Sequence, residues 1–105
     1  MTHIDKDLAS IQQARDLCNQ AREAMLSFQF ASQEEVDRIC EAMVEAAVAE
    51  AARLGQLAHE ETGFGFPLHK KLKNEFASRN VWEYIKDTPT CGVLHHDKER
   101  KIVEI

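Results

Sequence analysis

The sequence predicts a mainly α-helical segment, three to four helices long, followed by a β-hairpin. Apolar residues recur at helical spacing from Ile4 to Phe28 and again from Val36 to Leu54. Helix start and stop signals fall at Ser32, between these runs, and at Gly63, Pro67 and Pro89 after them. After Pro89 the pattern changes to two short β-forming runs around a charged turn.

The spacing predicts the first helix over residues 4 to 28. Ile4, Leu8, Ile11, Cys18, Met25 and Phe28 form its apolar stripe, and Ala14 and Ala21 fill the gaps. Gln12, Gln13, Asp16, Asn19, Gln20 and Glu23 make up the polar side.

A second helix is announced by Ser32-Gln33-Glu34-Glu35. A serine hydroxyl there accepts from the N–H of residue 35, and the Glu35 carboxylate reaches back to the N–H of residue 32. Glu34, Glu35 and Asp37 also suit the positive end of the helix dipole. The expected buried stripe is Val36, Ile39, Cys40, Met43, Val44, Ala47, Ala51 and Leu54, and the many alanines favour helix and close packing. Gly55 is the expected place for this helix to break or weaken. The pattern then resumes to Glu61, and Gly63 suits a left-handed C-cap.

Pro67 fits the first turn of a third helix, with apolar contacts expected from Leu68, Leu72, Phe76, Trp82, Tyr84 and Ile85. Asp87-Thr88-Pro89-Thr90 ends it, because proline disfavours helix at itself and at the residue before it. The expected strands are Cys91–Leu94 and Lys101–Ile105, with the turn at residues 96–99. An isolated two-stranded hairpin is marginal in water, so it needs something to lie on. A chain that stops at Ile105, inside an apolar strand, reads as interrupted.

The chain has 105 residues, which allows one domain at most. Two domains usually need roughly 200 residues. An apolar fraction of 44% and a charged fraction of 30% describe a globular rather than a disordered protein. Net charge is −5, from 18 acids and 13 bases, which argues against a nucleic-acid role. The basic run Lys70-Lys71-Leu72-Lys73 reads as a solvated helix face. The first seven residues lack the apolar core of a secretory signal. No run reaches the ~18 apolar residues that a membrane span needs. With these features, 3 widely spaced cysteines read as reduced cytoplasmic thiols.

The candidate chemistry is thin. Cys18 and Cys40 lie on apolar stripes and read as buried structural thiols. Cys91 starts an expected strand near Pro89 and Gly92, where a thiol is accessible, and His95 and His96 follow closely, so the residues alone leave its role open. Adjacent strand residues face opposite ways, so His95 and His96 do not converge on a metal. His59 and His69 have no partner at metal spacing. Glu60-Glu61 reads as solvated acids, one of them expected to bond the turn backbone. Gly63-Phe64-Gly65 is too short for a phosphate loop and reads as a corner between helices. Phe64, Phe66, Phe76, Trp82 and Tyr84 read as core, or as a face that packs on other parts of a protein. No residue is assigned a catalytic, cofactor-binding or metal-ligating role.

Three blocks, in this order, carry a family resemblance. They are Glu60-Glu61-Thr62-Gly63-Phe64-Gly65, Lys73-Asn74-Glu75-Phe76-Ala77-Ser78, and Ile85-Lys86-Asp87-Thr88-Pro89-Thr90-Cys91-Gly92-Val93-Leu94. Together they resemble the N-terminal region of the CoA-acylating aldehyde dehydrogenases, over residues 11 to 105. Trp82 before Ile85-Lys86-Asp87 is similar to the branch acting on succinic semialdehyde or sulfoacetaldehyde, and the family resemblance includes the acetaldehyde type. Pro67-Leu68-His69-Lys70 departs from the family, which usually carries an acidic pair there. The ordinary non-acylating aldehyde dehydrogenases share the helix-then-hairpin plan but match these blocks less well.

The resemblance implies the start of an α/β aldehyde dehydrogenase-like fold. Residues 1–88 would be an N-terminal helical region packing on the cofactor domain. Residues 89–105 would be a hairpin of the oligomerisation region. In the intact enzyme a later cysteine would attack an aldehyde, NAD or NADP would take the hydride, and coenzyme A would release the thioester. This chain, without that cysteine or the cofactor site, would be inactive alone and would bind no cofactor. The implied partners are the remainder of the enzyme and further copies through the hairpin, with no nucleic acid and no membrane. The implied location is the cytoplasm or a bacterial microcompartment. The alternative is a stand-alone helical interaction module that oligomerises through residues 90–105.

Overall fold

A computed structural model describes residues 4–105. Met1-Thr2-His3, part of the stretch read above for a leader, lie outside the described residues. The chain divides into two compact units, Met1–Ala31 and Ser32–Ile105.

The first unit is one helix, α1 (Lys6–Phe28). Asp5 caps it by accepting from the Asp7 N–H at 2.9 Å, a cap that the apolar spacing did not announce. Its apolar stripe is exposed: Leu8 is 64% and Met25 61% accessible. A single helix has nothing within its own unit against which to bury a stripe, so Cys18, expected to be buried, is exposed.

The second unit holds α2 (Gln33–Ala49), α3 (Ala51–Thr62), α4 (Pro67–Glu75), a π-helical turn (Phe76–Asn80), α5 (Val81–Ile85), β1 (His95–Asp97) and β2 (Ile102–Glu104). The capping box of α2 is present: Ser32 Oγ accepts from the Glu35 N–H at 3.2 Å, and Glu35 Oε2 accepts from the Ser32 N–H at 3.0 Å. Helix α2 ends at Glu50, with φ −95° and ψ 0°, rather than at Gly55. Gly55 lies inside α3 and is buried.

That burial explains the glycine. A Cβ at Gly55 would lie 3.0 Å from both Lys71 N and Pro67 O, and 3.2 Å from Lys70 Cβ. Helices α3 and α4 therefore cross at backbone distance, and Ala51, one turn earlier, is wholly buried at the same face. Asn74 Nδ2 donates to the Ala51 carbonyl at 3.2 Å across this crossing. The corner that folds α4 back onto α3 follows the sequence expectation. Gly63 takes φ 70°, and its N–H reaches His59 O at 2.7 Å.

The run from Pro67 to Ile85 stays helical, but Phe76–Asn80 widens into a π turn. Ser78 Oγ donates to Asn74 O within it, at 2.8 Å. A π turn inserts a residue into the helical register and rotates the faces that follow. It packs on α2. The helix ends at Ile85, before Pro89, as expected, and the Thr88 N–H returns to Ile85 O at 2.9 Å.

The hairpin starts later than expected. Its antiparallel pairs are His95 with Glu104, His96 with Val103 and Asp97 with Ile102. Residues 91–94 are not strand, because Gly92 turns the chain at φ 76° and the Thr90 and Cys91 N–H groups are taken by a helix side chain. The turn lies at residues 98–101 rather than 96–99. Asp97 Oδ1 organises it by accepting from the N–H of Glu99 at 3.0 Å and of Arg100 at 2.9 Å.

Gly55→Val places a branched side chain against the α4 backbone. The expected loss is about 2–3 kcal/mol of stability, read by thermal unfolding followed by circular dichroism. An unchanged or raised melting temperature would show that the crossing is not close.

Candidate functional site

The two faces of α4 decide what the surface of this unit can do. Pro67, Lys70, Lys71 and Asn74 turn toward α3, as the Gly55 and Ala51 contacts show. Leu68, Leu72 and Phe76 recur every four residues on the opposite side, and they are 63%, 54% and 63% accessible. The sequence pattern predicts these three as apolar contacts of this helix. The structure reverses the faces, because Gly55 and Ala51 admit a backbone and short stems but leave no room for leucine or phenylalanine.

A second apolar feature lies between α2 and the π–α5 run. Cys40, Met43, Val44 and Ala47 form one wall of a shallow groove of about 310 Å³, and Ala77, Ser78, Val81, Trp82 and Ile85 the other. Cys40 and Trp82 are half-buried there. Next to it, Trp82, Lys86 and Arg38 line a shallow depression together with the acids Glu34, Asp37, Glu41 and Asp87. Lys86 Nζ donates to Glu83 at 2.7 Å, and that bond, followed by the charge of Glu83, raises the lysine above its usual range. The pair thus favours the folded chain while Lys86 stays protonated in both states, and that contribution fades as pH climbs above 10.5. Both partners are well exposed, so it is a surface ion pair of small effect.

The residues weighed for chemistry stay dispersed. Cys91 is half-buried at the hairpin root. His95 and His96 alternate along β1, each exposed. His59 Nδ1 lies 3.4 Å from Phe64 O within the α3–α4 corner, and the His69 ring packs edge-on to Phe66 with centroids 5.3 Å apart. No cluster of metal-ligating side chains occurs among the described residues. Glu60 bonds the Gln56 side chain at 2.7 Å rather than the turn backbone. It is Thr62 Oγ1 that accepts from the Phe64 N–H, at 3.2 Å. The Gly63 and Phe64 amides are thereby used in joining helices, so this corner does not fit a nucleotide phosphate. Lys71 faces Glu75 at 3.6 Å, which accounts for part of the basic run. Phe64, Phe66, Phe76 and Tyr84 are exposed, from 63% to 91%, so they are not core within this chain. Sequence reasoning missed Gln33, whose side chain binds the hairpin root. Its position in the first turn of a capped helix gave no signal of that contact.

Helices closed by a glycine corner, with an apolar face turned outward and a hairpin at the end, match the first part of an aldehyde dehydrogenase. A probable aldehyde dehydrogenase from Listeria monocytogenes, known from a crystal structure, superposes with a TM-score of 0.78 at 43% identity. The match covers 95% of this chain and 22% of that one, at its N-terminal part. The bifunctional aldehyde-alcohol dehydrogenase AdhE of Escherichia coli is 32% identical over 90 residues, which are 86% of this chain and 10% of AdhE. The acetylating succinate-semialdehyde dehydrogenase of Clostridium kluyveri is 30% identical over 91 residues, 87% of this chain and 20% of that enzyme. No protein-family model matches. The chain is related to the CoA-acylating aldehyde dehydrogenases through their N-terminal region. It spans about a tenth to a fifth of the length of these curated relatives. Among the described residues no helix is long and apolar enough to cross a membrane.

The outward stripe makes a direct prediction. Leu72→Gln should change the stability of the 105-residue chain by less than about 0.5 kcal/mol, as at an ordinary surface site. A loss of about 2 kcal/mol or more in urea unfolding would mean that Leu72 is buried.

Proposed function

We propose that this chain is the N-terminal portion of an oxidoreductase that converts an aldehyde to an acyl-CoA with NAD or NADP and coenzyme A. The reacting cysteine and the cofactor-binding residues belong to other parts of that enzyme. The part played by residues 1–88 is scaffolding: they hold a cofactor domain through apolar faces. Residues 89–105 present a hairpin for pairing with strands elsewhere in the enzyme or in another subunit.

The uncovered Leu68-Leu72-Phe76 stripe carries this reading. Each such side chain, fully covered, contributes about 1.5–3 kcal/mol, so a partner surface on this face is strongly favoured. The resemblance to acylating relatives supports the choice of enzyme class. The exposed edges of β1 and β2 support the pairing role, since unpaired strand edges otherwise invite aggregation.

The test has two arms. The purified chain, given an aldehyde, coenzyme A and NAD or NADP, should form neither reduced nicotinamide nor thioester. The Clostridium kluyveri relative should lose CoA-dependent oxidation when its matching region is removed, and regain it when this chain is fused in that place. Turnover by the isolated chain would overturn the reading. Full activity of the truncated relative would remove the scaffold role.

A further inference from the structure

We propose that Gln33 is a latch that fixes the root of the hairpin to the first turn of α2, so that one neutral amide sets the hairpin's pose. Its Oε1 accepts from the N–H of Thr90 at 2.7 Å and from the N–H of Cys91 at 3.1 Å. Its Nε2 donates to Thr90 Oγ1 at 2.9 Å and to Asp37 Oδ1 at 2.8 Å. A glutamine amide has two acceptor positions and two N–H donors, and all four are used here. The partners fix its orientation: turned over, it would aim NH₂ at two backbone donors.

No other part of the root does this work. Pro89 has no N–H to give, and Gly92 turns the chain away at φ 76°. Among the described residues, the hydrogen bonds that run from the helices to residues 89–105 all come from Gln33. Every residue of β2 is exposed, and β1 and β2 pair mainly with each other. The hairpin is thus mounted by the latch rather than by packing. Asp37, one turn along α2, holds the amide from behind and keeps Oε1 pointed at the root. Released, the hairpin swings about residues 88–92 as a unit, because its internal ladder and the Asp97 turn do not involve Gln33.

Where the hairpin is read as a pairing surface, the latch decides the direction in which its edges are offered. That consequence rests on the proposed function, whereas the latch itself does not.

Amide hydrogen exchange in the full chain tests it. Gln33→Leu keeps the size of the side chain and removes its polar atoms. Exchange at Thr90 and Cys91 should rise about tenfold or more, while the α3 amides stay within about twofold. Gln33→Glu sets a second carboxylate against Asp37, 2.8 Å from its Oδ1, so it should also lose protection, whereas Gln33→Glu/Asp37→Asn restores the donor–acceptor pairing and should recover it at both amides. Thr90→Val removes only the hydroxyl that accepts from Nε2 and should give a smaller rise. Unchanged exchange in Gln33→Leu, or an equal loss in Gln33→Glu/Asp37→Asn, overturns the latch. If Gln33→Leu also loses α3 protection, the Gln33→Glu/Asp37→Asn and Thr90→Val variants decide. The effect of Gln33→Leu on subunit assembly then tests the pairing role separately.

Discussion

The second unit depends on one close approach, between Gly55 of α3 and the backbone of α4 at Pro67 and Lys71. A side chain at position 55 would push the helices apart, and Ala51, wholly buried, would lose its cover. The corner at Gly63 and the Asn74 bond to the Ala51 carbonyl serve the same crossing. Small residues permit it, dispersion between closely packed backbones holds it, and little apolar volume is consumed.

That economy has a consequence on the other side of α4. Because the crossing uses small residues and lysine stems, the large apolar residues of the helix remain facing outward. The groove between α2 and the π–α5 run adds more apolar surface to the same unit. An apolar stripe at strict helical spacing is the normal mark of a helix that packs on something. In the relatives, this region is a tenth to a fifth of a much longer polypeptide, and the scaffold role proposed above would give the stripe its partner.

Much of this was legible in the sequence where local chemistry governs. The Ser32–Glu35 capping box, the Gly63 cap, Pro67 at a helix start and the stop before Pro89 all act within a few residues, and all appear as read. Periodicity found the stripes but could not assign their direction. Leu68, Leu72 and Phe76 share a face by spacing alone, yet whether that face is inside depends on Gly55, more than ten residues away. The strand boundaries failed for the same reason. Cys91–Leu94 has strand-like residues, but a glutamine 57 to 58 residues earlier claims the N–H groups of Thr90 and Cys91. The alternation of His95 and His96 is a local property of a strand and appears in β1, whereas the burial expected for Cys18 needed a partner for α1 and is not found.

The central claim is that these faces are covered by the remainder of a longer enzyme. The most direct measurement is the intact mass of the native polypeptide, isolated from its source cells with an antibody against residues 67–85. The account predicts a mass several times the 12.0 kDa of this chain. A native product of 12.0 kDa would contradict it and would favour a stand-alone interaction module.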